Sequence, residues 1–527
     1  MKHLLLALAL VCSTYSFGQK TNLPISVSAK IAGKNLQNEQ DIIGTEYAFP
    51  DIIYKTFLDT VSGLLTVQLR GTSKNEKWLN NTGHILQYDL NEQKLMWSKK
   101  IAYLTSELLQ AENVMIYMVH NKFGSKSSSL DIYTGKELWK SNHTIYHIDP
   151  INRIGVGYKP NIGFNSKNKL EGIDLDNGNA LWKMNLNREY GWNDAFHIND
   201  STLIVVASGL HSINILNGDG WDYEAITGVK DYTGTVAAAA IGLAAGLLTG
   251  TFLIPTGYDL VSDLGSNVLM DDLDFYFSSK EKLVRIDKQT GEIIWEQPLP
   301  KDLTGKSTIF IEDDRIFMIN EGIAFVGNRQ VSFGGPFIAA FDRETGKQIF
   351  MATTGVKKDP ILSYQLTGNE ILLAFKDRLT KYTKETGQFI MERNFHKNEF
   401  GELKYFIGNQ AFVVNENDEF VSLSQTDTTK IFVLTNKDNV LVLNNQLDIT
   451  HTIAQKDLNI CYLKTEKSKF ITKDEGDNNE YKTWIIDNSG KKIAEIETSP
   501  SSFLIDKILY NQQKNKFIVI DLAEVID

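Results

Sequence analysis

The chain has 527 residues, with 54 Lys and Arg against 65 Asp and Glu, a formal charge of −11 at pH 7. An acidic surface of this kind disfavours nucleic acid and anionic lipid as electrostatic partners. With only two cysteines, one of them in the N-terminal segment discussed next, the chain has no disulfide framework.

Taken in chain order, the first element is Met1-Lys2-His3, an apolar run from Leu4 to Val11, and small residues around Ser16-Phe17-Gly18. That layout predicts a signal peptide over 1–18, an exported protein, and a mature chain of charge −12 beginning at Gln19. Cys12 as a lipidated N-terminus is the weaker alternative, because Val11 precedes it where a small residue is usual and Ala9 stands where Leu is usual. Residues 19–50 read as a lead segment, and 51–527 as the main domain. Asp51 to Gln68 is expected to complete the last repeat.

From Asp89 onward a phrase recurs: Asp, then Thr-Gly or Asn-Gly three and four residues later, then Trp eight residues after the Asp. Its clearest copies join Asp131 to Gly135 and Trp139, Asp174 to Gly178 and Trp182, and Asp287 to Gly291 and Trp295. Asp89 leads to Trp97, and Asp342 to Gly346 and Phe350. Asn214, Thr383, Asn444 and Asp487 begin weaker copies. Most intervals lie close to 42 residues, the mark of one small unit stacked many times. Between Asp274 and Trp295, aromatic and β-branched residues form three short strands separated by polar turns. The Asp can accept backbone N–H bonds in its turn, Gly can take positive φ, and Trp offers a flat surface to bury between neighbouring sheets. Such a unit has two apolar faces, so copies must stack and close. The expected fold is all-β, a single β-propeller of four-stranded blades, eight in number with seven or nine as alternatives.

The phrase resembles the pyrroloquinoline-quinone-like, or quinoprotein-type, propeller repeat, Asp-x-x-Thr-Gly-x-x-x-Trp. The resemblance covers Leu65 to the C-terminus. Kelch and tryptophan-aspartate repeats are the alternatives of the same architecture, and the Trp-Asp dipeptide occurs only at Trp221-Asp222. The family's quinone-dependent dehydrogenases carry an adjacent cysteine pair and a calcium site. This chain has no such pair, so the resemblance implies scaffold without pyrroloquinoline quinone or calcium, and no cofactor is expected.

The period is stretched furthest over the 73 residues between Asn214 and Asp287. The excess is an apolar Gly/Ala-rich insertion, bounded here as 228–268 and expected to be helical. On a helix, Gly242, Gly246 and Gly250 form one small-residue stripe, flanked by Leu243, Leu247 and Phe252. These six residues are the candidate docking element. A helix over 236–254 would span ~28 Å at ~1.5 Å per residue, near a bilayer core of ~30 Å. A single crossing would put the flanking blades on opposite sides of the membrane, so membrane contact through 236–254 is the disfavoured reading and packing on the propeller the favoured one.

Other motifs carry bland readings. Gly305-Lys306-Ser307 imitates the end of a phosphate loop whose first glycine is Pro300. His143 and His147 on one strand stand ~13 Å apart at ~3.3 Å per residue, too far to share a metal. Asp271, Asp272 and Asp274, the group Glu312 to Asp314, and the segment from Asp474 to Glu480 read as solvated turns. Cys461 reads as a buried thiol in a strand. Neither a Gly-x-Ser-x-Gly elbow nor a His-Glu-x-x-His motif occurs. The sequence therefore predicts a non-catalytic periplasmic propeller, in the outer-membrane-associated case as well, that binds other envelope proteins. An enzyme with its site at the central channel, quinoprotein-like or a hydrolase, is the runner-up, and an oligomer assembled at the membrane through the glycine stripe is the third reading.

Overall fold

The computed structural model describes residues 23–526 other than 74–78, 122–123, 160–168, 188, 192, 232–258, 328, 409, 424–428 and 474–480. The expected signal peptide, the acidic segment 474–480 and the six docking residues lie outside the described residues.

The chain is a β-propeller of four-stranded antiparallel blades. Eight blades stand as separate sheets: residues 52–102, 106–141, 144–185, 194–224, 269–298, 307–353, 363–394 and 403–454, numbered here 1 to 8. Two more, blade 9 (459–498) and blade 10 (503–521 completed by Asp41–Ala48), are joined edge to edge in one larger sheet. Neighbouring blades bury a shared apolar layer. Ile85 and Trp97 of blade 1 meet Met115 and Ile132 of blade 2, and so on around to Tyr510 and Phe517 of blade 10, which meet Leu65 and Leu86 of blade 1.

Among the described residues this gives ten four-stranded units, against the eight expected. The reason is visible in the phrase. Every copy, including weak Asn214 and Asn444, is the turn between the third and fourth strands of one blade, so nine copies mean nine blades. Blade 10 has no such turn because its fourth strand comes from the other end of the chain, with Gly44↔Ile520 and Tyr47↔Phe517 in register. The lead segment is thus corrected: Ser26–Asn35 and Asp41–Ala48 belong to the ring, and Ile52–Asp59 with Leu64–Thr72 open blade 1 rather than close the last one.

The phrase works as a clasp between blades. Asp131 Oδ1 accepts the Tyr133 and Thr134 N–H groups at 3.1 and 2.7 Å and the Thr134 hydroxyl at 2.7 Å, which shapes the turn. Gly135, at φ 67°, lies against the preceding blade's Trp97, and a Cβ there would sit 2.5 Å from the indole. The glycine is therefore required twice, by its dihedral and by the ring stacked on it. The indole N–H of Trp97 donates to the Ile132 carbonyl at 2.7 Å; Trp139 does the same to Leu175 and Trp182 to Ile215, both at 2.7 Å. Trp221, one place early in its phrase, still reaches the Lys288 carbonyl at 3.2 Å, and Trp295 reaches Arg343 at 3.1 Å. At the ring closure Tyr47 takes the Trp role, its hydroxyl donating to the Leu90 carbonyl at 3.3 Å.

Where the phrase loses its aromatic, another element replaces it. The hairpin Ala411–Val414 and Phe420–Ser422, inserted between the first two strands of blade 8, pairs with the first strand of blade 9. Phe420 N–H donates to the Gly490 carbonyl at 2.9 Å, and its ring lies 5.3 Å from that of Trp484. Cys461 is half-buried beside this hairpin, and burial pushes its thiol pKa up.

Among the acidic residues expected as solvated turns, Asp271 and Glu312 instead form ion pairs across blade boundaries, and Asp274 forms one within blade 5. Asp271 of blade 5 accepts Arg343 of blade 6 at 2.5 Å and the Tyr276 hydroxyl at 3.0 Å, while buried Asp274 holds Arg285 at 2.8 Å. Glu312 pairs with Lys384 of blade 7 at 2.6 Å. Burial raises the Asp271 pKa, but hydrogen bonds from Arg343, the Asp274 and Leu273 backbone and Tyr276 outweigh it, leaving about 2. Because the folded value is depressed below an ordinary 3.8, the stabilisation is present above that pH and is lost as pH falls toward about 2. Arg343→Met should therefore lower wild-type stability at pH 6 by ~2 kcal/mol and flatten its loss between pH 4 and 2, measured by urea unfolding. An unchanged acid limb would contradict the pairing.

Candidate docking site

In an up-and-down blade the first-to-second and third-to-fourth turns share one face of the ring, so all phrase turns lie there. The opposite face carries the connections between blades, and the interruption of the period is mounted on it. After blade 4 the chain is tied down by the Thr227 hydroxyl, which donates to Ala207 at 2.8 Å. It forms Val229–Asp231, passes through 232–258, and returns as Asp259–Ser262, with Val229↔Val261 and Asp231↔Asp259 paired. These two strands add to a hairpin, Ile323–Val326 and Arg329–Ser332, that leaves blade 6 between its second and third strands. The result is a four-stranded sheet outside the blade series, with its own small core of Val261, Leu264 and Ala324 packed by Val229, Val326, Val331 and Phe333.

The root of this sheet is a fully bonded polar hub. Asn320 is wholly buried at the end of the second strand of blade 6. Its Oδ1 accepts the Gly305 N–H at 2.7 Å and the Ser307 hydroxyl at 3.1 Å, while its Nδ2 donates to the Leu303 and Gly335 carbonyls at 3.0 and 2.7 Å. The Gly305-Lys306-Ser307 run is thus a structural junction. Beside it Lys306 lies 3.7 Å from Asp263 and 5.2 Å from the Phe325 ring centroid. Burial raises the Glu321 carboxyl pKa, with Lys306 and a Thr308 hydrogen bond pulling it partly back. A crevice of ≈ 530 Å³ opens next to this root, lined in part by Asp194, Phe196, Asn267 and Lys306.

The sequence placed six candidate residues in the insertion, all within 232–258; what the structure adds is the mount that holds both ends of that segment side by side. Of the repeat residues, Trp97 meets Gly135, Trp139 meets Gly178 and Trp295 meets Gly346 across blade boundaries, while Trp182 meets Gly218 and Gly291 meets Trp221. Tyr47 and the hairpin around Phe420 were missed because their partners, Leu90 and Gly490, lie far away in sequence, and Asn320 because its partners are mostly backbone groups, which carry no residue signature.

Two histidine arrangements also emerge. His143 and His147 are separated, as strand spacing requires. His143 is buried between blades 2 and 3, its Nε2 2.8 Å from Glu171, with Ser141 on its other ring nitrogen. Burial raises the Glu171 pKa, but hydrogen bonds from His143 and Lys183 reverse this and lower it. Lys183 lies 3.2 Å from the same carboxylate, so Glu171 is shared by both side chains. His147 instead meets His197 of blade 4, Nε2 to Nε2 at 2.9 Å, and its pKa is lowered to about 4 by burial and by that neighbour. Among the described residues no three His, Cys, Asp or Glu side chains converge as for a metal ion, and no helix is long and apolar enough to cross a membrane.

Strand topology and the clasp together define the class: a β-propeller built from quinoprotein-type repeats. Within that class, a family model described as outer membrane protein assembly factor BamB matches residues 279–524, from the end of the second strand of blade 5 through blade 10. Among solved structures, BamB from Moraxella catarrhalis is 12% identical, covering 75% of this chain and 97% of its own, with a TM-score of 0.33. Apo AztD from Citrobacter koseri is 10% identical, covering 71% and 92%, with a TM-score of 0.29. The C-terminal WD40 domain of Sif2 is 11% identical, covering 74% and 95%, at 0.27. No curated protein matches the chain.

Proposed function

We propose that this propeller is a non-catalytic periplasmic module of the cell envelope, associated with the outer membrane, that binds another envelope protein through the segment mounted on its face sheet. The observation that carries this reading is the mount: a dedicated sheet, drawn from two distant parts of the chain, presents both ends of an apolar segment at one face of the ring. The family-model match over blades 5 to 10 supports an envelope role, and the chain's acidic charge fits a protein partner. A rigid ring with an apolar extension is a common way to place a binding element without building a reaction site.

The mount also makes a clean test. Because Asp231 pairs with Asp259, residues 232–258 can be replaced by Asn-Gly, which closes the two strands as a hairpin. The shortened protein is expected to stay soluble and to unfold at the same urea concentration, but to lose its cross-linked partner in the periplasmic fraction. Retention of every cross-link would refute the proposal. Conversion from oligomer to monomer, seen by sedimentation with no change in cross-links to other proteins, would replace it with self-association.

A further inference from the structure

We propose that His147 and His197 form a two-imidazole site for a divalent transition-metal ion of the zinc, copper and nickel class, at the inner edge of blades 3 and 4. His147 stands in Thr144–Asp149 and His197 in Asp194–His197, the first strands of adjacent blades. These strands share no backbone ladder, yet the two rings meet with Nε2 atoms 2.9 Å apart, centroids 5.0 Å apart and planes inclined by 46°. At most one proton lies between those nitrogens, and when the ring that bears it carries its proton on Nδ1 instead, both Nε2 lone pairs are free to bind one ion. Imidazole nitrogen is a favoured ligand of exactly this metal class, at about 2.0–2.1 Å. Tetrahedral binding at that distance needs an N···N separation of about 3.3 Å. A small rotation of His197, which lies at the exposed end of its strand, supplies the difference.

The backbone is arranged to bring the rings together. A register shift between Ile145 and His147 interrupts the pairing of the first strand in blade 3, a device that re-aims the following side chain. The adjacent turns are tied across the same blade boundary: Asn152 Nδ2 donates to the Asp200 carbonyl at 2.6 Å and to Asp149 Oδ2 at 2.7 Å. A purely structural role accounts poorly for the pair. One neutral hydrogen bond between partly exposed rings contributes only ~0.5–1.5 kcal/mol, and an apolar pair would fill the same gap without the cost of desolvating two imidazoles. With two protein ligands among the described residues, solvent or a partner's side chain completes the coordination, so this is an open, exchangeable site.

The test uses the exported chain purified without a polyhistidine tag and stripped with a chelator. Zinc sulfate titrated calorimetrically at pH 7.5 should bind once per chain. His147→Gln and His197→Gln should each weaken that binding at least tenfold, while His451→Gln leaves it unchanged. With copper(II), nitrogen hyperfine coupling from two imidazoles in the wild type should fall to that of one in either variant. Zinc uptake that both substitutions leave intact, or no uptake by the wild type at millimolar zinc, overturns the proposal. If His147→Gln fails to fold, the exposed His197→Gln carries the same comparison alone.

Discussion

A chain from which Ser26–Ala48 has been removed, with the residues before and after left in place, is expected to lose its cooperative unfolding transition altogether. Those residues contribute the fourth strand of blade 10 and the strand that joins it to blade 9, where Gly33 pairs with Ile496. Their loss exposes Leu509, Phe517, Ile518 and Ile520, all now buried, and removes the Tyr47 contact to blade 1. Burying a single large apolar side chain contributes ~1.5–3 kcal/mol, so uncovering this layer exceeds the ~5–15 kcal/mol by which ordinary domains are stable. Circular dichroism during urea unfolding checks this; a sharp transition at the wild-type midpoint would show that the ring does not depend on its closing strand. The milder Tyr47→Phe, which keeps the ring and removes only the hydroxyl, should cost ~1 kcal/mol.

The second large effect is expected at Trp139. The indole is 8% exposed, stacks on Gly178 of blade 3 and donates to the Leu175 carbonyl. Trp139→Ala should cost ~3–5 kcal/mol, through both the cavity and the orphaned carbonyl. Gly178→Ala should also destabilise, since φ there is 76° and the new Cβ would lie 2.6 Å from the indole. In the double variant the clash is gone and only the left-handed backbone cost of ~1–2 kcal/mol remains. The two changes should therefore be sub-additive by more than 1 kcal/mol in denaturant titrations. Strict additivity would mean that the ring and the glycine do not act as one clasp.

These two sites also show what could be read from sequence. Asp131, Gly135 and Trp139 gave the blade, its turn and its buried aromatic, because all three recur at fixed places within one period. The partner of each Trp was not legible, since a periodic pattern does not say which surface of the next copy it touches. Tyr47 was invisible for a sharper reason: its strand completes a blade whose other three strands lie more than 450 residues later, so no phrase precedes it. The same limit explains the ion pairs. Asp271 looks like part of a turn in sequence, and becomes a strap only when Arg343, 72 residues away, is folded against it. At the interruption the sequence marked the place, and the pairing of Asp259–Ser262 with a hairpin from blade 6 supplied the mount that composition had no means to reveal.

The clasp always points the same way. Each aromatic reaches forward to the turn of the next blade, from Tyr47 through Trp97, Trp139, Trp182 and Trp221 to Trp295. In symmetry terms this is a heterologous contact: its two sides differ, so it can satisfy itself only by closing or by continuing without end. Within one chain it closes. A molecule opened between blades 10 and 1 would display a free aromatic edge on one side and an empty turn on the other, each complementary to its counterpart in a second copy. Opened rings of this protein are thus built to exchange blades with one another, and the closing strand is what confines the repeat to a single chain.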